Sequence, residues 1–256
     1  MTTRSPLPIL CLALGLALPA APVAAGIYCP QTPAEVAVLG DSLADGVWGS
    51  LFRGWQGCAT VTLHRVTRVS DGLTVTAPET WSARLVDSLG GDVAAADLVI
   101  VQFGANDIRA LRTEGGRATF GTEAWKSAYG GRVDSLLDHL AGQAGATWWL
   151  GLPVVGDAKL EASYVEVSGI QSDATGEWQG GMAARFVDTH EPTKFGTEGF
   201  VQSAEIDGRM TQLRAGDLIH FTEKGYDLVA ATFLPEVEAL LRAKDAEATL
   251  KSLALQ

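Results

Sequence analysis

Leu98-Val-Ile-Val-Gln-Phe103 is a run of strand length with almost nothing polar on either face. A strand of that kind is buried on both sides, as in a parallel sheet covered by helices above and below. A second apolar, β-branched run, Val36 to Leu39, stops abruptly at Gly40 and gives way to a stretch that can be helical, Leu43 to Phe52. The same alternation continues along the chain. Strands are expected at 59–69 (Val and Thr at period two), 98–103, 148–155 and 184–188, and helices at 79–89, 122–144, 158–169 and 222–246. Pro235 is expected to bend the last helix. Alternating β and α elements predict an α/β fold, a three-layer α/β/α sandwich around a central parallel sheet of about five strands. The segment Thr189 to Leu213 has no clear period and reads as a long irregular connection, of the kind that often forms a binding loop.

The N-terminus sets the domain limits. Arg4 precedes an uncharged apolar stretch, Pro6 to Leu18, and Val23-Ala24-Ala25 supplies small residues before Gly26. This pattern predicts an export signal over 1–25 and a single domain over 26–256. The apolar core is short for a membrane span of about 20 residues, so a periplasmic or secreted protein without a stable membrane span is expected. Signal removal takes Cys11 away and leaves Cys29 and Cys58, an even pair that in an exported chain predicts a disulfide. Neither has metal-ligand partners at useful spacing, and no metal or other cofactor is expected.

The net charge is −11, with the basic residues scattered along the chain. A nucleic-acid partner is therefore not expected. Glycines are spread through loops without a dinucleotide or phosphate-loop pattern. The adjacent Trp148 and Trp149 point to opposite faces of one strand and are expected to pack against helices. Core packing is also expected of Trp48, Trp55 and Trp81, and a structural or surface role of His64, His139 and His190.

Chemistry concentrates at two places. In Gly40-Asp41-Ser42-Leu43 a strand meets a helix, whose first amides lack partners and carry partial positive charge. Ser42 is either an N-cap, which serine favours, or a nucleophile whose oxyanion those amides steady. Near the far end, Asp217 and His220 lie three residues apart. That spacing lets a carboxylate orient an imidazole that activates the serine, or leaves Asp217 capping the next helix and His220 on a surface loop. Asn106 follows the 98–103 strand, where open α/β sheets place their ligands. It is either an oxyanion donor or a turn residue. Gly72, in Ser70-Asp71-Gly72-Leu73, is read as a turn glycine with positive φ.

Taken together, Gly40-Asp41-Ser42-Leu43, Gly72, Gly104-Ala105-Asn106-Asp107 and Asp217-x-x-His220 resemble the four sequence blocks of the GDSL/SGNH hydrolases in order and spacing. Val101–Asp107, Trp149–Pro153 and His220–Gly225 are similar to an exported bacterial branch of that superfamily. The resemblance implies a flavodoxin-like sandwich with Ser42 as nucleophile, His220 as base and Asp217 orienting it. It further implies an oxyanion hole of the Ser42 amide, the Gly72 amide and the Asn106 side chain. The family's last block is usually Asp-Gly-x-His, and Leu218 stands in place of that glycine. The implied activity is that of a serine esterase working through an acyl-enzyme. It would remove acetyl or other short acyl groups from a glycan or small ester. An O-acetyltransferase of cell-envelope glycan and a non-catalytic binding module on the same fold are the alternatives.

Overall fold

The structure is a computed structural model and describes residues 27–255. The expected export signal lies outside the described residues.

Five parallel strands form the core sheet: β1 (Ala34–Gly40), β2 (Val61–Thr67), β3 (Ala96–Gln102), β6 (Ala144–Leu150) and β7 (Ala183–Val187). Their spatial order is β2-β1-β3-β6-β7. The order reverses direction between β1 and β3, which is where doubly wound sheets leave a crevice at their carboxyl ends. The central strands are fully buried, as their apolar sequence demands, with Val36 to Leu39 and Leu98 to Val101 all inaccessible to solvent.

Helix α1 (Ser42–Gly54) packs with α5 (Glu223–Ala254), while α2 (Pro78–Leu89), α3 (Glu123–Leu140) and α4 (Ala158–Glu177) form a second contiguous row. The expected three-layer sandwich is therefore the observed one. Gly40 ends β1 beside Gln102 of the parallel β3: a Cβ there would approach the Gln102 carbonyl oxygen to 2.0 Å, so the close approach requires glycine.

Several boundaries differ from expectation. The fourth sheet strand begins at Ala144 and leaves the sheet after Leu150, because Gly151 and Pro153 break the ladder that the apolar run alone suggested. Helix α4 runs to Glu177 and α5 to Ala254, with Pro235 inside it. The 189–213 connection is not wholly irregular: it holds a 3₁₀ turn (Pro192–Lys194) and a hairpin of β8 (Ser203–Ile206) and β9 (Arg209–Gln212). A second hairpin, β4 (Leu111–Thr113) with β5 (Gly116–Ala118), interrupts the connection after β3. Both are short, polar and Gly-tipped, so they carry little periodic signal.

Cys29 and Cys58 are joined, with Cα atoms 5.6 Å apart. The same N-terminal segment is fastened to α5, where Asp245 accepts hydrogen bonds from the Tyr28 hydroxyl and the Gln31 and Thr32 amides. Trp81 and Trp149 are wholly buried, and Trp48 stacks on Phe52 at 5.0 Å. His64 bridges Glu35 and Ser88 beside the sheet, and His139 is exposed. Among the described residues no helix is long and apolar enough to cross a membrane.

Candidate active site

The turn between β1 and α1 is built from backbone requirements. Asp41 is the N-cap, and its Oδ1 accepts the Leu43 amide at 2.9 Å. Ser42 therefore begins the helix, half-buried, with its own amide among those that a helix leaves unpartnered. Asp41 is completely buried. Burial pushes its carboxyl up to about 7, opposed by the Leu43 amide, reinforced by the neighbouring Asp107, and opposed again by Ala105 and Asn106.

His220 reaches this turn from the loop before α5. Its Nε2 lies 2.7 Å from Ser42 Oγ, and its Nδ1 lies 2.6 Å from Asp217 Oδ2. The other oxygen of Asp217 accepts the Ile219 and His220 amides, each at 3.0 Å, which closes the loop on itself. Partial burial works to raise the Asp217 carboxyl, but the His220 ring and these two amides hold it below the usual carboxylate range. An ionised Asp217 fixes a proton on Nδ1 and leaves Nε2 free to take one from the serine.

Leu218 adopts φ +63°, the left-handed region that glycine occupies without strain. Leucine here therefore carries a backbone strain that glycine would not.

A residue that sequence reasoning passed over holds the loop from beneath. Arg214 is fully buried and makes no ion pair among the described residues. Its guanidinium donates instead to three carbonyls: Ile219 at 3.0 Å, Val154 at 2.7 Å and Thr193 at 3.3 Å. The Phe221 ring covers it at 3.8 Å. Desolvation lowers its pKa to about 10, so it remains a cation at neutral pH. Arg214 thus ties the Asp217–His220 loop to the connections that follow β6 and β7. Its partners Val154 and Thr193 are distant in sequence, so no local pattern marks it.

On the opposite side of Ser42, Asp107 acts as a staple. Its buried carboxylate accepts from the Leu73 and Thr74 amides, the Thr74 hydroxyl and the Tyr129 hydroxyl. It therefore fixes the 71–74 turn against the loop bearing Asn106. Asn106 Nδ2 donates to the Asp71 carbonyl at 3.0 Å, which orients the amide.

The positive φ expected of Gly72 is not found. Glycine is needed there for a different reason: a Cβ would stand 2.4 Å from Asp107 Oδ1. The Gly72 amide donates to Asp71 Oδ1 at 2.8 Å, so it is already partnered. The structure brings Ser42, Asp217 and His220 into one hydrogen-bonded chain and fastens the Gly72 turn to the Asn106 loop through Asp71 and Asp107.

His190 is less peripheral than a surface loop residue. It pairs with Glu161, whose other oxygen accepts the Val155 amide. No second serine joins this pair among the described residues. Nor does any group of three or more His, Cys, Asp or Glu among the described residues have the arrangement of a metal site.

A sequence model of the family described as "Protein of unknown function (DUF459)" matches residues 35–236. Among solved structures, an alpha/beta hydrolase enzyme called LAE5, from the metagenome of Lake Arreo, Spain, is similar at 16% identity and a TM-score of 0.54, over 82% of this chain and 97% of that one. The acetylxylan esterase Axe2 from Geobacillus stearothermophilus is similar at 14% identity and a TM-score of 0.53, over 82% and 96%. These likenesses show a shared fold, a parallel sheet between two layers of helices. No curated protein is significantly similar in sequence.

Proposed function

The chain belongs to the DUF459 family, and within it we propose an exported serine ester hydrolase that removes acetyl or other short acyl groups from a glycan or small ester. The observation that carries this reading is the unbroken relay of 2.7 Å from Ser42 Oγ to His220 and 2.6 Å from His220 to Asp217. Ser42 Oγ attacks the ester carbonyl carbon while its proton passes to His220 Nε2. The imidazolium, stabilised by Asp217, returns that proton to the leaving alkoxide, which departs as an alcohol and leaves the acyl group on Ser42. His220 then takes a proton from water. The hydroxide attacks the acyl carbon, and the carboxylic acid leaves as Ser42 recovers its proton.

The Ser42 amide and the remaining N–H of Asn106 stabilise the oxyanion in both steps, with the Gly72 amide joining them if it turns from Asp71. The disulfide and the N-terminal sequence support an oxidising, exported setting. That Axe2, which is similar in fold, is an acetylxylan esterase supports the acyl chemistry.

The test is release of acid from aryl acetates and acetylated xylo-oligosaccharides by the mature protein. Ser42→Ala, still folded, is expected to lose turnover completely, and Asn106→Ala to lower kcat by roughly 10²–10³ with a smaller effect on KM. Near-normal turnover by folded Ser42→Ala contradicts the mechanism.

A further inference from the structure

In the β4–β5 hairpin Arg112 stands directly opposite Arg117. Like charges facing each other across an antiparallel pair destabilise it, and their Cβ atoms lie only about 5 Å apart. Both side chains are exposed, and neither forms an ion pair among the described residues. Other exposed or half-exposed arginines do find carboxylates, including Arg53, Arg65 and Arg185. Between positions 109 and 117 the chain carries Arg109, Arg112 and Arg117 against the single acid Glu114, in a protein whose net charge is −11. A local positive field of this kind draws anions to one place on a surface that otherwise repels them.

The hairpin also walls a cavity of about 480 Å³, lined by Thr74, Ala110, Arg112, Thr113, Gly116 and Arg117. It is linked to the loop that bears Asn106. Thr74 is held by Asp107, the residue after Asn106, and the hairpin follows the same β3 end that delivers Asn106. Two arginines lining one space supply the planar, bidentate donors that suit a carboxylate or phosphate.

We propose that the Arg112–Arg117 cavity is a substrate subsite for an anionic group, a carboxylate or a phosphate, carried by the molecule whose ester Ser42 cleaves. The inference rests on the hydrolase reading for its connection to substrate, and it narrows that substrate from any acylated glycan to an acidic one.

Binding is read by calorimetry on the intact mature protein at low and physiological salt, so the result does not depend on turnover. The probes are tetragalacturonate for the carboxylate, glucose 6-phosphate for the phosphate, and neutral xylotetraose. At least one anionic probe is expected to bind ten-fold or more tightly than xylotetraose, with affinity falling as salt rises. The anionic probe that binds identifies the source. Arg112→Gln with Arg117→Gln is expected to abolish that preference. Arg112→Glu, which puts an acid opposite Arg117 and relieves the repulsion, is expected to abolish it without lowering the Tm. Anionic probes binding no better than xylotetraose, or equally well to Arg112→Glu, would overturn the subsite. Loss of ester hydrolysis with the anion preference intact would instead count against the hydrolase reading alone.

Discussion

The turn that carries Ser42 and the loop that carries His220 meet at a 2.7 Å hydrogen bond but are built in different ways. Ser42 is positioned by regular structure. A buried parallel strand ends at a glycine that nothing else can replace, a buried aspartate caps the helix, and the serine has little freedom left. His220 sits on a connection with no repeating hydrogen-bond ladder. Its loop carries a left-handed leucine that is 38% exposed, and is held by an aspartate folded back on its own amides and by a buried arginine. Ser42 is thus placed by the backbone and His220 by side chains. Changes to individual side chains are therefore expected to be felt mostly at His220.

The largest expected effect that sharpens this contrast is at Arg214. Arg214→Met leaves three carbonyls without their buried donor. In the folded variant kcat is expected to fall roughly 10- to 100-fold, as displacement of a catalytic group by about 1 Å does. KM should change less, because Arg214 lies beneath the loop. Arg214→Lys keeps the cation without the fork and is expected to recover part of the loss. Steady-state kinetics beside thermal melts check this; unchanged kcat in a folded Arg214→Met would mean the loop holds its shape without the arginine.

A smaller effect is expected at Leu218. A non-glycine residue in the left-handed region costs on the order of 1 kcal/mol, and glycine there gives back part of the gain by loosening the unfolded chain. Leu218→Gly is expected to raise stability by roughly 0.5 kcal/mol in urea unfolding with activity retained. Leu218→Val, β-branched at positive φ, is expected to lower both. A clear loss of stability in Leu218→Gly would show that the leucine side chain, not the backbone, shapes the loop.

The same contrast explains what the sequence made legible. The strand–glycine–serine–helix pattern around Ser42 and the doubly buried run at 98–103 follow from local periodicity, and the five-stranded parallel sheet follows from them. Asp217 and His220 could be singled out because they are close in sequence. The role of Arg214 could not, since Val154 and Thr193 are brought beneath the loop only by the fold. A turn glycine such as Gly72 predicts a positive φ, because such glycines are common. Its actual constraint is the Asp107 carboxylate, which comes from another loop. The opposition of Arg112 and Arg117 was hidden for the same reason: as a linear string the charges are scattered, and a hairpin with no periodic signal pairs them.

The central claim is that Ser42 is the nucleophile and that His220 activates it. The most direct measurement treats the mature protein with an alkyl fluorophosphonate and maps the modified peptide by mass spectrometry. The mechanism predicts one covalent adduct, on Ser42, formed rapidly by the native protein and far more slowly by folded His220→Ala. An adduct elsewhere, no adduct at all, or labelling of Ser42 at the same rate without His220 would contradict it.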